Sequence, residues 1–154
     1  MTLKLPKLWT ILGAICLLAL GLGPIANLLI THKTFKPVST DKQFAAVSNR
    51  LQTSCSDCHT PGAAAMPLYA NFPIAGSIIY RDVSNAQAAF LLSQQNLTGE
   101  TPFSPLQLNK MQAVLRQNYM PPRRYLAMHW KAIISNAERK AMLNWIEKHD
   151  PNFN

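Results

Sequence analysis

Three residues in the middle of the chain have the types and the spacing of a cofactor-attachment site. Cys55, Cys58 and His59 form the pattern C-x-x-C-H, which is typical of covalent haem attachment. On a helix, the residue four places after Cys55 lies on nearly the same face. Two thioether bonds can therefore hold a porphyrin while His59 binds the iron. We expect one covalent haem c, with His59 as proximal ligand and a carbonyl of Thr60-Pro61 accepting its outer ring N–H.

Other kinds of site suit this pattern less well. A structural zinc site needs a second pair of ligands, and the sequence has no second C-x-x-C and no H-x-x-x-H. A redox dithiol does not need the adjacent histidine and normally lies in a βαβ context, which this sequence lacks. A structural disulfide between residues three apart is weaker still. Covalent haem is the interpretation that uses all three residues.

The sixth position of the iron requires another ligand, and Met120 is the best-placed methionine. It precedes Pro121 and Pro122, which cannot continue a helix and favour an extended backbone. His129 is the alternative distal ligand. Four further methionines follow Met1 in the sequence. Met111 and Met142 lie on apolar helical stripes and are predicted core residues, whereas Met66 and Met128 are weaker candidates for the ligand.

The N-terminal segment predicts a membrane anchor. Residues 8–30 contain no charged side chain, and a helix rising about 1.5 Å per residue needs roughly 20 apolar residues to cross a bilayer. Lys4 and Lys7 precede it and favour a cytoplasmic N-terminus. We expect residues 1–31 to be a single-pass anchor in a bacterial inner membrane, with the remainder in the periplasm. A cleaved signal peptide is the alternative, because Ala19-Leu20-Gly21 provides small residues at the positions a signal peptidase needs.

The rest of the chain predicts an all-α domain. Residues 32–40 are polar, contain Pro37 and form a predicted linker; residues 41–150 form the haem domain, and residues 151–154 a tail. No run alternates in the way a strand requires. Four S/T-x-x-E/Q capping boxes predict four helix starts, with a loop from Pro61 to Asp82 between the first and second helices. The boxes pair Thr40 with Gln43, Ser84 with Gln87, Ser104 with Gln107, and Ser135 with Glu138.

Apolar residues at helical spacing predict the core of this domain. A haem would add a large apolar plate to a domain of about 120 residues that is otherwise marginal. The second helix is expected near residues 85–95 and carries Ala89, Phe90 and Leu92. The other predicted stripes are Phe44, Val47 and Leu51; Leu108, Met111 and Leu115; and Met142, Trp145 and Ile146.

The charge is basic, with 15 Lys+Arg against 7 Asp+Glu and a formal net charge of +8. In an exported domain this balance is interpreted first as solvated surface charge with a propionate partner, and the alternative is a docking patch for an acidic redox partner or anionic lipid headgroups. Nucleic acid is excluded as a partner by the predicted export. Arg124, Tyr125 and Trp130 follow the predicted distal ligand and are expected to line the haem pocket, with Arg124 close to a propionate.

Two sequence blocks resemble a known family. The run from Met120 to Trp130, MPPRRYLAMHW, follows CSDCHTP at Cys55 to Pro61 and precedes Trp145-Ile146. Together these blocks resemble the small haem-binding domain at the N-terminus of bacterial tri-haem quinol peroxidases, over roughly residues 44–149. The resemblance implies a membrane-tethered, periplasm-facing cytochrome domain that takes electrons from the quinol pool and passes them to a di-haem peroxidase. It also implies His59 as proximal ligand and Met120 as distal ligand.

One difference from that family bears on activity. Those enzymes carry two further C-x-x-C-H sites, whereas this sequence has one. We therefore expect an electron-transfer protein rather than an enzyme, either a stand-alone monohaem protein or a separately encoded electron-donating subunit. The alternatives are a peroxidase-like haem enzyme with an open iron site and a haem-based redox or gas sensor.

Overall fold

The computed structural model describes residues 5–28, 34–63 and 66–150, and every regular element within them is helical. The predicted all-α class is therefore confirmed for these residues. The predicted tail lies outside them, as do residues 32–33 of the predicted linker. The eight α-helices are α1 (Leu5–Leu28), α2 (Lys42–Ser54), α3 (Ser56–His59), α4 (Pro73–Ala89), α5 (Gln94–Thr98), α6 (Pro105–Gln117), α7 (Arg123–Leu126) and α8 (Asn136–His149), with 3-10 helices at Leu68–Asn71 and Trp130–Ala132.

Helix α1 covers most of the segment that was predicted to be an anchor. Its described apolar side chains, such as Trp9 and Leu17, are exposed. Across the described part of the chain, no helix combines the length and the apolar character that crossing a membrane requires. The predicted transmembrane helix is not confirmed.

The core lies between α2, α6 and α8, whose apolar stripes face one another. Trp145 of α8 is at its centre, with its ring centroid 5.8 Å from that of Phe44 and 5.9 Å from that of Phe103. The predicted stripes of these three helices are confirmed, because all nine residues are buried. They are Phe44, Val47, Leu51, Leu108, Met111, Leu115, Met142, Trp145 and Ile146.

Two of the four predicted capping boxes are confirmed, at Ser104 for α6 and at Ser135 for α8. In each, the serine side chain accepts a hydrogen bond from the backbone N–H three residues later, and that residue's side chain accepts one from the serine N–H. The first predicted box is wrong by one residue. Asp41 rather than Thr40 caps α2, and its carboxylate accepts the Gln43 N–H at 2.8 Å.

The second predicted box is wrong, because Ser84 lies inside α4. This helix begins at Pro73, where a missing N–H breaks no helical hydrogen bond, so the predicted loop over residues 61–82 contains a 3-10 helix and much of α4. Gly76 is the buried residue of α4 and packs directly on the Ala70 carbonyl, where a Cβ atom would clash. The helix ends at Ala89, and Phe90 has extended backbone angles.

A short helix that the sequence analysis missed follows this break. Ser93 and Asn96 form a capping box at the start of α5, and Gly99 ends the helix in the left-handed conformation with φ of 83°. The predicted core residue Leu92 is fully buried, but it lies in the extended connection between α4 and α5 rather than on a helical stripe.

The described part of the predicted linker is bonded to the domain. The Gln52 side chain accepts the Phe35 N–H at 2.7 Å and donates to the Phe35 carbonyl at 2.8 Å. Further along, the Val38 N–H donates to the Thr98 carbonyl at 2.9 Å. Residues 35–38 are therefore attached to α2 and α5.

Candidate haem site

The three motif residues lie on one helical turn. Cys55 is both the C-cap residue of α2 and the N-cap residue of α3. Its N–H donates to the Leu51 carbonyl at 2.8 Å, and its carbonyl accepts the His59 N–H at 3.0 Å. Cys55 and Cys58 are half-buried and neither is in a disulfide. The structure therefore has two free thiols and one imidazole on the same short segment.

His59 is oriented by the main chain of a distant residue. Its Nδ1 atom lies 2.7 Å from the Phe90 carbonyl oxygen, and its ring meets the Phe90 ring edge-on at 5.3 Å. The His59 carbonyl in turn accepts the Leu92 N–H at 3.0 Å. The expected acceptor in Thr60-Pro61 is wrong. The Phe90 carbonyl takes this role because α4 has ended and the extended chain runs beside α3.

This arrangement leaves Nε2 as the ring nitrogen that can bind a metal. An imidazole that donates from Nδ1 to a carbonyl has a fixed tautomer and a more basic Nε2 atom, as metal-binding histidines usually have. The orientation of His59 is therefore compatible with metal binding through Nε2.

Neither thiol has the lowered pKa of a reactive dithiol. Burial raises the pKa of Cys55 to about 12, helped by the nearby Cys58. Burial and the carboxylates of Asp57 and Asp82 raise the pKa of Cys58 to about 11. Both thiols are therefore protonated at neutral pH, whereas reactive C-x-x-C dithiols have a lowered pKa. Within the described ranges, no group of three or more His, Cys, Asp or Glu could hold a metal ion.

Two side chains of α7 that the sequence analysis had assigned to the haem pocket join this helix to its neighbours, one to the motif segment and one to α4. The Tyr125 hydroxyl donates to the Asp57 carboxylate at 2.7 Å, and burial together with this carboxylate raises the pKa of Tyr125. Arg124 donates to both carboxylate oxygens of Asp82 on α4, at 2.9 and 2.7 Å. Arg124 is therefore in an ion pair with α4.

The two other predicted residues of this region have different environments. The His129 ring stacks on the Tyr125 ring with centroids 3.9 Å apart, and its Nδ1 atom lies 3.0 Å from the Tyr125 carbonyl oxygen. Trp130 is 52% exposed and donates from Nε1 to the Ala127 carbonyl at 3.2 Å. Tyr125 and His129 thus form a packed pair, and Trp130 lies at the surface.

The methionine candidates separate by burial. Met111 and Met142 are buried in the core, as predicted, whereas Met66 is 42% and Met120 is 36% exposed. Met120 lies in the connection between α6 and α7, followed by the buried Pro121. Its side chain is free of the core.

The residues at the motif fit a covalently bound haem. Two neutral thiols can form thioethers and an oriented imidazole can bind iron from the same turn. The segment is also flanked by two buried hydroxyls, of Ser54 and Thr60, that have no hydrogen-bond partner among the residues the structure describes.

Comparison with known proteins agrees with this chemistry. The family described as haem-binding domain matches residues 21–148. The chain belongs to this haem-binding domain family. A haem cofactor is therefore assigned to the domain, and its relationship to bacterial peroxidases is confirmed.

A curated relative shows the same relationship. The protein named cytochrome c peroxidase Ccp, of Escherichia coli strain K12, is 33% identical over 126 residues. The alignment covers 76% of this chain but 27% of that protein, so the haem-binding domain spans about a quarter of the relative's length. No solved structure matches the chain.

Three partners in the haem-binding domain were missed by the sequence analysis: Asp57, Asp82 and the Phe90 carbonyl. Asp57 occupies a variable position of the motif, which gives no signal of its own. Asp82 was assigned to the end of a loop and lies 42 residues from Arg124. The Phe90 carbonyl could not be identified because every residue has a main-chain carbonyl, so its type gives no signal.

Proposed function

We propose that the chain is a monohaem c-type cytochrome domain that transfers single electrons. The observation that carries this proposal is the single C-x-x-C-H turn with His59 held by the Phe90 carbonyl. A haem bound there supplies one-electron chemistry at its iron. Cys55 and Cys58 would hold the macrocycle, His59 would be the proximal ligand and Met120 the distal ligand.

The residues around the motif favour a carrier. The hydrogen bond from His59 restricts rotation of the ring, and a fixed ligand lowers the reorganisation that accompanies each change of charge. A thioether as second ligand raises the reduction potential and fills the sixth position. His129 is the alternative distal ligand, and its Nδ1 atom lies 3.0 Å from the Tyr125 carbonyl oxygen.

Partners and location are part of the proposal. The relative's name, cytochrome c peroxidase, supports a di-haem peroxidase as the electron acceptor, with the quinol pool or a quinol-oxidising protein as donor. The uncharged residues 8–30 behind Lys4 and Lys7 support insertion in a bacterial inner membrane with the haem domain in the periplasm.

Covalent attachment is tested by replacing the cysteines. After expression with a c-type maturation system, the wild-type protein should retain haem through denaturing electrophoresis. The double variant Cys55→Ser, Cys58→Ser should lose it, because serine forms no thioether, whereas Cys16→Ser in α1 should retain it. Wild-type protein that is colourless, or that releases its haem to acidified butanone, would contradict covalent attachment.

The distal ligand is tested by a second pair of variants. We expect the oxidised protein to show the weak near-infrared sulfur-to-iron charge-transfer band, and Met120→Ala to abolish it and allow carbon monoxide to bind the reduced protein. His129→Ala should leave the band in place. A band that survives Met120→Ala would identify another sulfur ligand. A high-spin wild-type protein that binds carbon monoxide rapidly would favour an open-site enzyme or a sensor.

A further inference from the structure

The segment that contains Met120 is fixed at its N-terminal end by α8. Helix α6 ends at Gln117, and Asn118 follows in the left-handed conformation with φ of 56°. Arg139 of α8 donates to the Leu115 carbonyl at 2.9 Å and also to the Asn118 side chain. The chain therefore leaves α6 from a defined point two residues before Met120.

The same segment is fixed at its C-terminal end by α7. The Pro122 carbonyl accepts the N–H groups of Tyr125 and Leu126 at 2.9 and 3.1 Å, which starts the helix. The helix is then tied to the haem-attachment turn through Tyr125 and Asp57 and to α4 through Arg124 and Asp82. Only residues 119–121 separate the two fixed ends.

We propose that Tyr125 and Arg124 are positioning residues that hold the Met120 segment at a fixed place relative to the haem-attachment turn. The inference rests on the proposed function, in which Met120 is the distal ligand. Tyr125 reaches the motif itself, because its acceptor Asp57 lies between the two cysteines. A substitution at Tyr125 should therefore alter iron ligation by Met120, although Tyr125 itself is not a ligand.

The two ties differ in strength. The Tyr125 hydroxyl is part-buried and donates to a carboxylate, and such hydrogen bonds contribute more than neutral ones. The Arg124 side chain is 62% exposed, and ion pairs of this kind contribute little. We therefore expect Tyr125→Phe to have a larger effect than Arg124→Gln. The phenyl ring of the first variant preserves the stacking on His129.

The test separates release of the ligand from global unfolding. In the haem-loaded protein, urea titrations follow the sulfur-to-iron band and the far-ultraviolet circular dichroism of the same sample. In wild type the two transitions should coincide. In Tyr125→Phe the band should disappear at a lower urea concentration than the helical signal, and carbon monoxide should bind the reduced protein roughly tenfold faster, as expected for loss of about one charge-assisted hydrogen bond.

Matched variants distinguish positioning from general stability. Asp57→Ala should reproduce the effect of Tyr125→Phe, and combining the two should add little further change. Asp57→Asn keeps an acceptor and should restore most of the wild-type behaviour. Tyr80→Phe on the exposed face of α4, and Arg116→Gln in the surface ion pair with Glu147, should leave the band and the carbon monoxide rate unchanged.

Two outcomes would overturn the inference. The first is that Tyr125→Phe keeps a sulfur-to-iron band like that of wild type and its two urea transitions coincide. The second is that the effects of Tyr125→Phe and Asp57→Ala on the band and on the carbon monoxide rate are additive. Failure of the proposed function gives a different result, because the wild-type protein then lacks the sulfur-to-iron band or the band survives Met120→Ala.

Discussion

Among single residues, Gly99 combines two requirements that only glycine meets. Its φ is 83°, and a Cβ atom at this position would lie 2.8 Å from Cε1 of Phe44, a core residue. Gly62 has a similar φ of 69°, but a Cβ atom there would have no neighbour within 4 Å among the described residues. Comparing alanine substitutions at the two positions therefore separates the cost of backbone strain from the cost of steric overlap.

We predict that Gly99→Ala lowers the free energy of unfolding by about 2–4 kcal/mol, from left-handed backbone strain plus overpacking. Gly62→Ala should cost about 1 kcal/mol, from backbone strain alone. Urea titration of both variants measures the difference. Equal losses in the two variants would show that Phe44 moves aside without cost.

The candidate site shows which residues the sequence identifies and which it does not. Cys55, Cys58 and His59 are adjacent in sequence, so their shared turn follows from helical geometry. Tyr125 could be placed near the haem only from its position after the predicted distal ligand, because its partner Asp57 is 68 residues away. A pairing over that separation depends on how α3, α4 and α7 pack, and no local pattern encodes that packing.

Among the helices, α8 has a capping box whose charge depends on pH. Hydrogen bonds from Ser135, together with the nearby Arg50, hold the pKa of Glu138 below its usual value of 4.5. The equivalent residue of α6 is Gln107, which makes the same bonds without a charge. A carboxylate with a lowered pKa in the folded state stabilises the protein above its unfolded pKa.

We predict that Glu138→Gln destabilises the protein near neutral pH and that this difference disappears as the pH falls through and below 4.5. The stabilisation from the ionised form is lost once Glu138 is protonated. Gln107→Ala is the control, and its cost should not change over the same range. Thermal unfolding at a series of pH values measures both. A Glu138→Gln difference that is constant with pH would contradict the lowered pKa.

Helix starts were predictable where a serine box coincides with an apolar stripe, as in α6 and α8. Helix α4 was misplaced because Pro73 and Gly76 resemble loop residues, although proline is tolerated in a first turn and glycine permits close packing. Ser84 and Gln87 have the spacing of a box, but the preceding residues already form a helix. Local patterns cannot report that the chain upstream packs on the 3-10 helix at Leu68–Asn71.

At the scale of the whole molecule, a buried side chain helps to join the segment before α2 to the domain. The amide of Gln52 bonds both the N–H and the carbonyl of Phe35, and Gln52 itself is buried. Part of the predicted linker is therefore bonded to the domain, through Gln52 and through the Val38 N–H.

We predict that Gln52→Ala increases the hydrogen-exchange rate of the Phe35 amide by about tenfold or more, because its acceptor is removed. The Val38 amide, bonded to Thr98, should keep its protection and acts as an internal reference. Gln43→Ala, on the exposed surface of the same helix, is the control. Unchanged exchange at Phe35 in Gln52→Ala would show that the segment is held by other contacts.

The hydrogen bond between His59 and Phe90 also has a consequence for mutational robustness. Its acceptor is a peptide carbonyl, which every amino acid carries, so no substitution at position 90 other than proline, which cannot adopt the extended φ of Phe90, should delete it. A shift of register between α4 and α5 would delete it, since the extended backbone at Phe90 brings that carbonyl to the ring. Insertions and deletions between residues 89 and 93 should therefore be tolerated far less than point mutations there.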